Sequence, residues 1–468
     1  MTSSAPAARP RASSTNSWRE HRCRTAEQDP VYRCATAHIL TYWQGGDHPL
    51  RIRLFRCLYA AQVVALLGTG LLTVALGLLA YDIAGDDAGA VLGTALAIKM
   101  VAYVFVAPMT AAATSRLPPR SVLITTDIMR AAVALSLPFV ESIWQIYLLV
   151  FALQAASATF TPAYQAVIAS ALEDERTYTG ALSLSRLAYD LESLASPVLA
   201  ATLLTVVDYP TLFLGTVAGF LSSATAISSV RVPHTPRARR RSRFRDRTLG
   251  GFRVMWPSSE LRALLALNVV VAAATALVVV NTVVYVRTLL GGQDSGLALA
   301  LACFGGGSML VALTLPRLLT AISDRSVMLI GAAACVGALS ATTVFIAAAR
   351  PGAFGWVTLC TLWAITGAGT SMINTPSARL LRRNSTVENR TDVFTAQFSL
   401  SHAAFLLTYP VAGWVGATLN QAVAALLLTA LATLATLAAV TMWPRHGREF
   451  HGTAARAPIV AVAGQPRP

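Results

Sequence analysis

Ala181-Leu-Ser-Leu-Ser-Arg186-Leu-Ala-Tyr-Asp190-Leu-Glu192 is echoed later in the chain by Gln397-Phe-Ser-Leu-Ser-His402. The shared Ser-Leu-Ser cores begin at Ser183 and Ser399, 216 residues apart. Two matches precede them: Thr161-Pro162 with Thr375-Pro376, and Arg176-Thr177 with Arg390-Thr391, each 214 residues apart. Each match is short. Three in the same order, drifting by two residues, mark an internal repeat and two related halves.

Working outward, twelve long apolar stretches fill the chain from about Leu58 to Trp443. They lie near 58–80, 89–111, 121–140, 143–171, 178–206, 209–230, 263–286, 295–315, 326–348, 353–374, 393–418 and 421–443. About 18 mostly apolar residues suffice to cross the hydrocarbon core as a helix. Helices also satisfy their own backbone amides there. The expected fold is an all-α membrane protein whose twelve transmembrane helices form two pseudo-symmetric six-helix bundles. The expected parts are a disordered cytoplasmic tail (1–50), a first bundle (51–230), a basic linker (231–262), a second bundle (263–444) and a C-terminal tail (445–468). Composition agrees: 55% of residues are hydrophobic and 13% charged, where soluble chains carry about 25% charged residues. A soluble all-helical protein would need shorter, amphipathic helices.

The formal net charge is +15, and Lys99 is the only lysine. Nucleic-acid binding asks for a basic patch on a folded surface, and none is expected. The arginines sit instead in the connections after even-numbered spans: Arg116, Arg120, Arg176, Arg231 to Arg262, Arg317, Arg325, Arg379, Arg382, Arg383 and Arg390. The opposite connections hold Arg287 and Arg350 among Asp82, Asp86, Asp87, Glu141, Asp208 and Asp294. The positive-inside rule then places both termini and the linker in the cytoplasm, in a cytoplasmic (inner) membrane. The run Arg237 to Arg247 reads either as a topology anchor or as a contact for anionic lipid. Residues 1–50 lack the apolar core of a signal peptide. Their His21, Cys23, Cys34 and His38 match no standard zinc spacing. No disulfide framework and no partner chain are expected.

Twelve spans as six plus six, with cytoplasmic ends and a basic middle, resemble the major facilitator superfamily. That family's signature is a glycine, then Asp-Arg, then Gly-Arg-Arg or Lys. Here Ala111-Ala-Ala-Thr-Ser115-Arg116-Leu-Pro-Pro-Arg120 keeps Arg116 and Arg120, with Ser115 in place of the acid and Ala111 in place of the glycine. The acid latches the closed state in the family, so that role does not carry over to this side. Asp127-Ile-Met-Arg130 matches the Asp-x-x-Arg that often follows, and Asp324-Arg325 is the second-half equivalent. Gly93 to Tyr103, Trp144-Gln-Ile-Tyr147 and the two Ser-Leu-Ser stretches are similar to a branch of nickel-resistance exporters. The resemblance implies a proton-coupled exporter working by alternating access, with a divalent metal such as nickel as substrate. The C-terminal tail has only His446 and His451, where those members carry a histidine-rich tail. That departure argues against copying the substrate.

An ionisable side chain in mid-membrane costs at least ~2.5 kcal/mol on insertion scales. Lys99, Arg186, Asp190, Glu192 and His402 are the ones to explain. Arg186 and Asp190 are four apart and can pair on one helix face, while Glu192 points about 200° from Asp190. In one reading, protonation of Asp190 or Glu192 competes with a cationic substrate; in the other, the four charges form a static, neutral brace. Lys99 and Glu192 are the stronger transport candidates. His402 reads as a proton carrier, a metal ligand or a hydrogen-bonded interhelical histidine. Arg116, Arg120, Asp127, Arg130, Asp324 and Arg325 read as gating or structural charges.

A proton gradient would supply the drive, at about 2.3 kcal/mol per charge per 100 mV, with no bound cofactor. Efflux of a drug, siderophore or other small organic molecule is the alternative. A membrane sensor or assembly factor is the alternative of another class. No nucleotide-binding or hydrolase motif points to an enzyme.

Overall fold

Side chains set several of the helix starts. Gln145 closes a capping box on Ser142, Asp174 accepts from the Thr177 amide, Ser258 from Leu261 and Asn420 from Val423. Each satisfies a backbone donor that the first helical turn leaves open. The computed structural model describes residues 49–84, 88–232, 249–292, 294–348 and 352–443. The tails with His21, Cys23, Cys34, His38, His446 and His451, the run Arg237 to Arg247, and Asp86, Asp87 and Arg350 lie outside the described residues.

Twelve rods follow among the described residues. They are α1 (Arg53–Ala84), α2 (Ala88–Val101, Ala102–Val106 and Ala107–Thr114 in unbroken succession), α3 (Pro119–Ser136) and α4 (Ile143–Ala171). Next come α5 (Glu175–Leu203), α6 (Tyr209–Ser228), α7 (Ser259–Val284, continued by Tyr285–Leu289) and α8 (Asp294–Ala321). The last are α9 (Asp324–Ala348), α10 (Ala353–Arg383), α11 (Arg390–Pro410, continued by Val411–Val415 and Gly416–Thr418) and α12 (Gln421–Met442). Ten of them are long and apolar enough to cross a membrane. The other two, α5 and α11, carry the repeated Ser-Leu-Ser stretches and their polar neighbours.

The rods form two bundles. In the first, α1 packs on α5 and α6, and α3 on α4 and α6. In the second, α8 and α9 pack on α10, and α12 on α7 and α9. Small residues bring α8 and α10 into backbone contact. A Cβ on Gly307 would fall 2.0 Å from the Ala364 carbonyl oxygen, and one on Gly367 would fall 1.9 Å from that of Phe304. Such close approach is how helices gain packing where lipid offers no hydrophobic drive. Exposed Trp144, Phe354 and Trp414 lie at the end opposite the arginines, as aromatic residues do at a membrane boundary.

The halves meet through related helices. α5 reaches across to α8 and α10, and α11 reaches across to α2 and α4. The two rods outside the ten apolar ones thus both contact the other half.

Candidate functional site

Arg186 of α5 and His402 of α11, which close the two repeated stretches, both line a cavity of 510 Å³ between the halves. That volume falls within the usual range for small-molecule sites. Lys99 and Tyr103 enter it from α2, where Ala102–Val106 winds as a π-helix. Such wide turns recur at functional sites.

Tyr103 is the hub of one wall. Its hydroxyl donates to Gln154 of α4 at 3.0 Å, and its carbonyl accepts from Ser399 of α11 at 3.2 Å. Its ring meets His402 edge-on with centroids 4.7 Å apart. The Lys99 ammonium lies 5.6 Å from the Tyr103 ring centroid, within cation–π reach. His402 Nδ1 is 2.7 Å from the Phe398 carbonyl, so that nitrogen carries a proton and donates it. Phe398 stands 4.3 Å from the imidazole, centroid to centroid. Among the described residues, no group of three or more His, Cys, Asp or Glu side chains gathers that could hold a metal. His402 as a metal ligand therefore has no companion set there.

The four charges expected to act as one cluster divide into two. Arg186 and Asp190 pair at 3.0 Å. Ser308 of α8 joins them, donating to Asp190 at 2.8 Å and accepting from Arg186 at 2.8 and 3.0 Å. This local pair thus bridges the halves. Glu192 turns away toward α1 and α2. Its carboxylate lies 3.1 Å from the place a Cβ on Gly70 would occupy, and it is in electrostatic contact with Lys99.

Asp127 and Arg130 sit inside the first bundle. Asp127 pairs with Arg130 and accepts from Ser223 of α6 at 2.7 Å. The Arg130 guanidinium lies 4.2 Å from the ring centroid of Phe160 and 4.5 Å from that of Phe220. Of the two roles expected for this pair, the geometry fits an internal brace of α3, α4 and α6.

The arginine-rich end is closed by a lattice of contacts between the halves. Arg379 reaches Glu175 at 2.8 Å and Asp324 at 3.5 Å. Arg383 reaches Asp324 at 2.7 Å and Glu175 at 3.1 Å. Arg382 donates to the Glu173 carbonyl at 2.5 Å, and Arg390 to Ser170 at 2.9 Å. The acid missing at Ser115 has its counterpart here in Asp324. The first-half signature takes another part: Arg120 donates to the Ser228 carbonyl, tying α3 to α6, and Arg116 is exposed. Arg325 is half-buried, with an Nε that finds no partner. Outside the membrane, Thr177's backbone and side-chain hydrogen bonds hold the Asp174 carboxyl below the usual carboxylate range.

Sequence reasoning did not single out Tyr103, Ser308, Glu175, Arg379 or Arg383 as site residues. Arg379 and Arg383 stand four apart on α10, a spacing that puts both on one face and was open to reading. It also passed over Asn268, Asn374 and Gln397, which line the cavity. Amides within apolar spans are a signal of the same kind as buried charges.

Comparison with known proteins bears on this architecture. The sequence pattern of the Major Facilitator Superfamily matches residues 58–297, just over half the chain. The human organic anion transporter MFSD10 (TETRAN) superposes with a TM-score of 0.69 at 14% identity, covering 83% of this chain and 99% of that one. The E. coli fucose:proton symporter FucP gives a TM-score of 0.64 at 17% identity, covering 84% and 99%. A bacterial homologue of the iron transporter ferroportin, in its outward-facing state, gives 0.71 at 11% identity, covering 84% and 99%. No protein of curated function matches the chain by sequence.

Proposed function

Because the chain belongs to the Major Facilitator Superfamily, with its transporter fold, we propose that it is a secondary active transporter that carries a small polar organic solute through the cavity between its halves. One observation carries this choice of solute. The described residues lining the cavity supply tyrosines, amides and hydroxyls, with Lys99, Arg186 and His402, and include no Asp or Glu. A divalent cation such as nickel, the first expectation from the sequence, needs carboxylate, thiolate or several imidazole ligands. A solute with hydrogen-bonding groups and an apolar body suits these walls better.

The bridges already described between the halves support alternating access. With the arginine-rich end in the cytoplasm, the lattice around Arg379 and Arg383 is the gate that must open to admit or release solute there. Proton coupling at Glu192, and export as the direction, belong to the same proposal.

Reconstitution into liposomes with a panel of labelled sugars, carboxylates, amines and Ni²⁺ tests it. The expected result is saturable counterflow of an organic solute, reduced at least about tenfold by Asn268→Leu. Flux of Ni²⁺ alone would replace the organic reading. Flux equal to empty liposomes for every solute would remove the transport reading itself.

A further inference from the structure

Two cations line the cavity, and they are not equivalent. The Arg186 guanidinium is engaged by Asp190 at 3.0 Å and by Ser308 at 2.8 Å. Among the described residues, no hydrogen bond or ion pair engages Lys99, whose ammonium has the Tyr103 ring beside it at 5.6 Å. Glu192 answers its charge through space. That carboxylate sits against Gly70 of α1 and is not among the residues lining the cavity. The lining therefore presents an unmatched positive charge, with its counter-charge set behind it.

Elsewhere the lining is short of partners too. Asn268 Nδ2 of α7, Thr375 Oγ1 of α10 and Gln397 Oε1 of α11 are buried without a hydrogen-bond partner, and all three residues line the cavity. Asn268 and Thr375 are each 4% exposed. A buried polar atom left unpaired costs about 1–3 kcal/mol, a cost that a bound polar group would remove. The rings of Tyr103, Tyr164, Tyr189, Phe398 and Phe405 also line the cavity.

Resting on the transport reading above, we infer that the solute is an organic monoanion whose carboxylate pairs with the Lys99 ammonium, while its other polar end bonds to Asn268, Thr375 and Gln397. A flat apolar body fills the space between the aromatic rings. Such a solute bridges the halves, touching α2 in one and α7, α10 and α11 in the other.

The test uses the full-length protein in lipid nanodiscs, with binding measured by calorimetry. The probes are 4-hydroxybenzoate, its neutral analogue 4-hydroxybenzamide, the cation 4-hydroxybenzylamine, and NiCl₂. The benzoate is expected to bind saturably, and at least about tenfold more tightly than the amide or the amine. Lys99→Gln is expected to weaken the benzoate at least about tenfold, and Lys99→Arg to stay within about threefold of wild type. Equal binding of the amide, preferred binding of the amine or Ni²⁺, or an unchanged benzoate affinity in Lys99→Gln would each overturn the inference. So would failure of all four probes to bind. If a neutral solute is transported while carboxylates are ignored, the anion assignment falls and the transport reading stands. If no solute binds or moves, both fall.

Discussion

α5 and α11 carry the repeated Ser-Leu-Ser stretches and both contact the other half, yet they carry different chemistry. α5 brings Arg186, Asp190 and Glu192, and α11 brings His402 among Phe398 and Phe405. The difference extends to the bundles around them. The first is braced by Asp127, Arg130 and Ser223, a buried ionic set clasped by two aromatic rings. In the second, Trp363 donates to Thr282 at 2.8 Å and Thr408 to the Ala272 carbonyl at 3.1 Å, both neutral bonds. At these positions one half carries a buried ionic set and the other neutral hydrogen bonds.

Removing half of the buried brace breaks this comparison most sharply. Arg130→Ala leaves Asp127 without its cation, and losing one partner of a buried pair costs about 3–5 kcal/mol. A large drop in detergent melting temperature is expected, with recovery when Asp127→Asn is added. A melting temperature equal to wild type would show that the first bundle does not depend on this set. In the second bundle the corresponding weak point is steric. Gly367→Leu drives a side chain into the Phe304 carbonyl, and overpacking of this kind costs about 1–3 kcal/mol. The same melting assay should rank it below Arg130→Ala.

The gate gives a smaller effect. Arg383→Gln removes its pairs to Glu175 and Asp324, and because Arg383 is 51% exposed these contribute up to about 1 kcal/mol each. Labelling of a Ser377→Cys reporter from the arginine-rich end should rise roughly fivefold. Unchanged labelling would mean that other contacts hold that end closed. The smallest effect belongs to the cap of α5. Asp174→Ala should cost about 0.5 kcal/mol at neutral pH, the low end for an exposed cap. Because the Asp174 pKa is lowered in the fold, its contribution is present above the ordinary value of about 3.9 and is lost as pH falls through the lowered one. Wild type and variant should therefore converge in melting temperature only on strong acidification.

Sequence pattern carried much of this architecture. α5 and α11 were already read among the apolar stretches, at 178–206 and 393–418, and the shared Ser-Leu-Ser stretches paired them. The i, i+4 spacing foretold the Arg186–Asp190 contact. Ser308 was illegible, because no local pattern says which serine of α8 lies opposite α5. The gate was legible in part: Asp324 was read as a gating or structural charge, but its meeting with Arg379 and Arg383 of α10 and Glu175 of α5 depends on how three helices pack. Lys99 was visible as an oddity. That it stands apart from Arg186, with Glu192 behind it, depends on how α1, α2 and α5 pack, which helical spacing alone does not determine.

The place of Lys99 has a practical corollary. It is the only lysine in the chain, and its ammonium borders the cavity. An amine-directed reagent thus has one lysine target in this sequence, and it lines the cavity. Its rate of modification would clock the opening of the cavity to water in the unaltered protein.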